Sequence, residues 1–202
     1  IKNSNFFLPL ITHDLMSNFD QLNKLDLKVL IIKIFRNPFE LVYSWSKSGL
    51  GKRWGKDPRF FSLAIKKDKK YFPWYVYNYK PKDLDNLNDT ERCAIYIILQ
   101  IQKTLKIIKK FKNNKKLYIS DYLYLNENPE KELKNIAKFL KTDFSKKTKR
   151  YIKKKLLPNF SIKNQLERKK IFVKRRIKTE IFEKLLNAEK KYRNHVYNLR
   201  RF

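Results

Sequence analysis

Leu27–Phe35 reads LKVLIIKIF and runs directly into Arg36–Ser44, RNPFELVYS. The first nine residues are a near-continuous aliphatic and β-branched run, the pattern of a strand buried on both faces of a parallel sheet. The next residues switch to helix-start chemistry. Asn37 can cap, Pro38 suits the first helical position, and Glu40 sits three residues after the cap. A helix is therefore predicted from Pro38 to about Lys47. An Arg at the C-terminal end of a parallel strand points into the crevice where α/β folds bind ligands, and the helix that follows offers its N-terminal amides and positive dipole end. Ser44 lies two turns along that helix, so Arg36 and Ser44 can meet over a common anion as a phosphate clamp. The same spacing equally suits a plain strand-to-helix turn, with the Arg bonded to a carbonyl.

Working outward, residues 1–26 are irregular and hold Thr12, His13 and Asp14. All three glycines, Gly49, Gly51 and Gly55, fall in the loop after the first helix, with Trp54 among them. Tyr71–Pro81 (YFPWYVYNYKP) is aromatic and punctuated by proline, which reads as a surface loop or cover. Asp89 or Thr90 is expected to cap a helix to about Lys112, with Ala94, Ile95, Ile98, Leu99, Ile101, Leu105 and Ile108 on its apolar side. Lys116–Ser120 is a second short strand, and Asn128-Pro129 opens a helix through Leu140. The last third is helical, broken at Pro158, and closes on an amphipathic helix from about Thr179 to Leu199. Alternating strands and helices imply an α/β fold, a three-layer parallel sheet flanked by helices, with a helix-rich C-terminal part.

Composition narrows the function. The 202 residues include 42% hydrophobic and 15% aromatic side chains, enough for one core, which excludes a disordered or collagen-like chain. One cysteine, Cys93, supplies neither an intrachain disulfide nor a zinc quartet and points to a reducing compartment, here a cytoplasmic one. No run approaches the roughly twenty apolar residues of a membrane span. The net charge of +30 invites polyanions, yet only 11 of the 49 basic residues are Arg. The clusters Lys66–Lys70, Lys109–Lys116, Lys146–Lys155 and Arg168–Arg176 are spread along the chain, as solvated helix faces would be.

Arg36-Asn37-Pro38 with Ser44 eight positions after the Arg, behind a hydrophobic strand, resembles the 3′-phosphate-binding motif of the sulfotransferases that use 3′-phosphoadenosine 5′-phosphosulfate (PAPS). Ile11-Thr12-His13 is similar to that family's Thr-His segment. Leu117–Leu140 (LYISDYLYLNENPEKELKNIAKFL) resembles its strand, acidic-hydrophobic loop, Asn-Pro and helix, and Gly49–Phe61 with Glu91-Arg92 is similar to bacterial-type members. The resemblance implies a P-loop NTPase-like sulfotransferase fold. It also implies a sulfuryl transfer from PAPS to a hydroxyl or amine of a glycan or small molecule. Arg36 and Ser44 would bind the cosubstrate, His13 would act as general base, and no metal is needed. The basic surface is compatible with an anionic acceptor.

The departures from that family are equally specific. Its opening strand and Gly-containing loop around the 5′-phosphosulfate have no counterpart here, and the chain starts at Ile1. Residues 1–202 are therefore expected to form one sulfotransferase-like domain lacking that N-terminal strand and loop, an incomplete enzyme as it stands. Asp121-Tyr122 replaces the family's usual acidic pair, and no adenine contact is assigned there. His13 suits a base with a pKa near 6.5 but is also what a loop histidine looks like, while His195 belongs to the structure of the last helix. Trp54 and Trp74 could cover an acceptor or plug the core edge. From another class, a basic nucleic-acid-binding domain without catalysis would use the lysine clusters and exposed aromatics for phosphate contacts and stacking.

Overall fold

The computed structural model describes residues 30–54, 56, 64–110, 116–155, 157–159 and 161–200. Within them the apolar run forms β1, Ile31–Phe35, paired in parallel with β4, Leu117–Asp121, so that Phe35 stands opposite Asp121. Side chains alternate along a strand, so Phe35 and Tyr118 leave the pair on opposite faces. Phe35 meets Tyr192 of α8 (Thr179–Arg200) edge-on, ring centroids 4.7 Å apart. Tyr118 meets Phe139 of α5 (Pro129–Leu140) at 5.5 Å. Helices thus flank the parallel pair on both sides, which is the α/β class expected.

The hub of the packing is α1, Pro38–Lys47. It starts where its local chemistry dictates, with Asn37 Oδ1 accepting from Phe39 N at 2.9 Å and Pro38 in the first turn. It closes at Gly49, whose φ of 73° favours a residue without a Cβ. Its side chains reach three other helices. Phe39 packs on Phe182 of α8, Tyr43 on Phe172 of α7 (Ser161–Lys174), and Trp45 on Tyr96 of α3 (Asp89–Lys110). Trp45 is thus a core residue, half-buried against Tyr96. Between α1 and α8, α3 is buried on every side from Cys93 to Ile98, a wider apolar surface than its helical stripe announces.

Two elements differ from the sequence reading. The aromatic stretch is part of the framework, because β2 (Ala64–Lys67) and β3 (Lys70–Pro73) form an antiparallel hairpin. Phe72 of β3, and Tyr75 and Val76 of the 3-10 turn Trp74–Val76 that continues it, lie in the core. The short α2 (Pro81–Asp85) follows. The cap of α3 is Asn88, one residue earlier than expected. Its Oδ1 accepts from Thr90 N and Glu91 N, and Glu91 Oε2 accepts from Asn88 N in return. Glu91 Oε1 takes the Lys178 amide at the start of α8, and Asn88 Nδ2 donates to Arg176 O, so one capping box joins α3 to the α7–α8 turn. After β4 come α4 (Tyr122–Glu127), α5, α6 (Lys146–Lys154), α7 and α8, the helix-rich C-terminal part. No helix among the described residues is long and apolar enough to cross a membrane.

The described part of the glycine loop, residues 49–54, is pinned against its neighbours. Leu50–Arg53 forms a 3-10 turn against α3, Trp54 is buried, and a Cβ added to Gly51 would lie 2.1 Å from the Asp89 carbonyl oxygen. Gly51→Ala is expected to destabilise the fold by roughly 1–3 kcal/mol through forced backbone displacement at the start of α3, read as a lowered Tm by circular dichroism.

Candidate functional site

The C-terminal ends of β1 and β4 lie side by side, and each feeds a helix capped by an Asx side chain. Asn37 caps α1, and Asp121 Oδ1 accepts from Leu123 N and Tyr124 N at the start of α4. Asn37 is itself held from the far side of the chain, its Nδ2 donating 2.9 Å to Glu189 Oε1 of α8, a carboxylate that Arg193 also engages. Arg36 leaves β1 between the two helix starts. Its guanidinium sits 4.8 Å from the centroid of the Tyr122 ring, a cation–π contact that fixes its direction.

Beneath Arg36 lies the residue that organises the site. Glu40, one turn into α1, is 5% exposed. One of its oxygens is 3.2 Å from Arg36 Nε and the other accepts from Lys169 Nζ of α7 at 2.7 Å. Arg36 Nε makes no hydrogen bond of normal geometry, so its attraction to Glu40 is electrostatic, whereas Lys169 adds a true hydrogen bond. Burial alone would raise the Glu40 pKa, but the two cations outweigh it and hold the carboxyl below its ordinary 4.5. Two positive groups share one negative one, and the excess positive charge sits on the outer side, where the Arg36 side chain is 29% exposed. Lys169 also lies 5.9 Å from the Tyr43 ring centroid, and the adjacent Lys170 5.4 Å from that of Phe39, so α7 brings two cations onto α1.

Ser44 is half-buried on α1, one turn beyond Glu40. Glu40 and Ser44, four residues apart, share one face of α1, whereas Arg36 precedes the cap Asn37 and reaches Glu40 from outside the helix. His13 lies outside the described residues, as does Gly55. His195 is half-buried on α8. Spacing on one helix could have revealed Glu40 as the partner of Arg36; Lys169 and Tyr122 lie on other elements, and nothing local announces them.

Two open grooves lie elsewhere and are not lined by Arg36 or Ser44. One of about 460 Å³ runs between α5 and α6, and one of about 440 Å³ along α8 past Glu183, Lys190 and Asn194. Cys93 is no candidate nucleophile, because burial pushes its thiol up to about 12.

Glu40→Ala should destabilise the protein by about 3 kcal/mol at neutral pH, since it leaves two cations facing each other without their shared partner. A carboxyl whose folded pKa is lowered contributes its stability above the ordinary 4.5, and that contribution is lost as pH falls through the lowered value. The gap in Tm between wild type and Glu40→Ala should accordingly narrow on acidification below 4.5. A gap independent of pH would remove Glu40 from the charged state described. No family model, curated protein or solved structure matches the chain.

Proposed function

We propose that the chain is a PAPS-dependent sulfotransferase domain of P-loop-like, three-layer architecture, in which Arg36 and Ser44 bind the cosubstrate's 3′-phosphate. The observation that carries this reading is the partly exposed Arg36 guanidinium at the exit of β1. It is aimed by Tyr122 and held by Glu40, whose helix face also carries Ser44 one turn further on. A phosphate dianion arriving there meets a guanidinium whose orientation is already fixed, so little ordering entropy is lost on binding. Lys169 supplies a second positive charge on the buried side.

In the reaction the acceptor's hydroxyl or amine attacks the sulfur of PAPS. The bond from that sulfur to the bridging phosphate oxygen breaks, and 3′-phosphoadenosine 5′-phosphate leaves. The acceptor's proton passes to His13. Positioning and charge neutralisation carry such group transfers, and the residues above supply the positioning. The acceptor would be a glycan or small molecule, anionic to suit the +30 surface, met in the cytoplasm as the free thiol of Cys93 suggests.

Calorimetry of the natural full-length protein with 3′-phosphoadenosine 5′-phosphate tests the clamp. Arg36→Ala is expected to weaken binding by roughly 2–4 kcal/mol, the worth of a charge-assisted contact in a partly buried site. His13→Ala should spare that affinity and lower turnover. Equal affinities for wild type and Arg36→Ala, or preference for ATP over the 3′-phosphorylated nucleotide, would overturn the assignment.

A further inference from the structure

We infer that α6 and the groove beside it form a docking surface for single-stranded nucleic acid, separate from the Arg36 site. Six of the nine residues of α6, Lys146–Lys154, are Lys or Arg, none is acidic, and its one buried side chain is Ile152. Helical spacing gathers Lys147, Arg150, Tyr151 and Lys154 on one exposed stripe. Tyr151 is 58% exposed, an unusual place for a large ring, and Lys155 Nζ stands 5.4 Å from its centroid. On the other side of Ile152, Lys149 and Lys153 face the groove of about 460 Å³. Its floor is Pro129, Ile152, Leu157 and Pro158, and Lys131 adds a third cation at the rim. Glu130 is the one carboxylate in the lining, 2.9 Å from Lys134 and 3.9 Å from Lys149, and three lysines outnumber it, so the groove stays positive.

Apolar floor, cationic rim and an exposed ring among cations together define the ligand. The cations call for a repeating anion. The ring and the apolar floor call for flat unsaturated faces that can stack, which nucleobases have and sulfated sugars lack. The bases must be unpaired, because a paired base cannot enter a groove or lie on a phenol ring. A bilayer is a poorer match. The apolar side of α6 is the buried Ile152, which leaves no hydrophobic stripe to sink into lipid.

The test is fluorescence anisotropy of a labelled oligothymidylate against the full chain across a salt series. The variants are a charge reversal on α6 (Lys147→Glu, Arg150→Glu, Lys154→Glu), a matched reversal elsewhere (Lys82→Glu, Lys106→Glu, Lys191→Glu), Tyr151→Ala and Tyr151→Phe, each checked for folding by circular dichroism. The α6 reversal should lower affinity by about tenfold or more and flatten the slope of log affinity against log salt by about 2, the share of three phosphates at ~0.7 each. The matched reversal should change affinity by less than about threefold, since screening confines charge effects to about 10 Å. Tyr151→Ala should lose roughly tenfold while Tyr151→Phe keeps the wild-type value, as stacking requires. Arg36→Ala should bind the oligonucleotide normally, whatever becomes of its nucleotide affinity. Equal loss from the two reversals would overturn the surface in favour of diffuse charge. An unchanged Tyr151→Ala, with dextran sulfate or anionic vesicles bound through the same lysines, would overturn the nucleic acid as partner.

Discussion

The buried carboxylate of Glu40 is the constraint around which the described structure is arranged. A charge taken out of water must be matched, and here the match comes from two directions, Arg36 at the strand exit and Lys169 on a helix far along the chain. The first contact sets how the chain turns from β1 into α1. The second fixes where α7 lies against α1, and the aromatic pair Tyr43–Phe172 packs beside it. The same triad sets the electrostatics of the strand ends, because its surplus positive charge faces outward.

Packing follows the same centre. Three aromatic contacts radiate from α1 to α8, α7 and α3. Two of them, Tyr43–Phe172 and Trp45–Tyr96, are edge-to-face and place the positive rim of one ring on the negative face of another, so they fix orientation as well as burying area. The strand pair, by contrast, is small, and its two faces are covered by elements from the C-terminal half. A chain of this charge stays folded because its cations largely lie over rings or along exposed helix faces, with stems packed and heads in water.

What the sequence disclosed was mostly local. The start and end of α1, the strand Leu117–Asp121, the Asn-Pro entry to α5 and the span of α8 depend on neighbours within a few residues, and each is where its residues place it. β1, by contrast, begins at Ile31 and leaves Ile34 49% exposed, so the run read from Leu27 is not buried on both faces. Asn88 was legible too, as the first member of an Asn-x-x-Glu box, but Asp89 and Thr90 beside it are also good caps. The β2–β3 hairpin was hidden by the prolines and rings around it, whose loop-like composition conceals a strand that ends at Pro73. At the candidate site, Arg36 and Ser44 could be picked out by their spacing. Lys169, 129 positions from Glu40, and Tyr122 under the guanidinium could not, since proximity created by folding leaves no mark in a local pattern.

The capping box at Asn88 reaches beyond its own helix. Glu91 divides its two oxygens between the entrance of α3 and the entrance of α8, and it does so at 2% exposure, where a carboxylate oxygen that loses its donor has no water to turn to. Loosening either entrance therefore leaves one oxygen of the buried Glu91 carboxylate without its donor. The entrances of the two longest helices among the described residues are thus tied through one side chain.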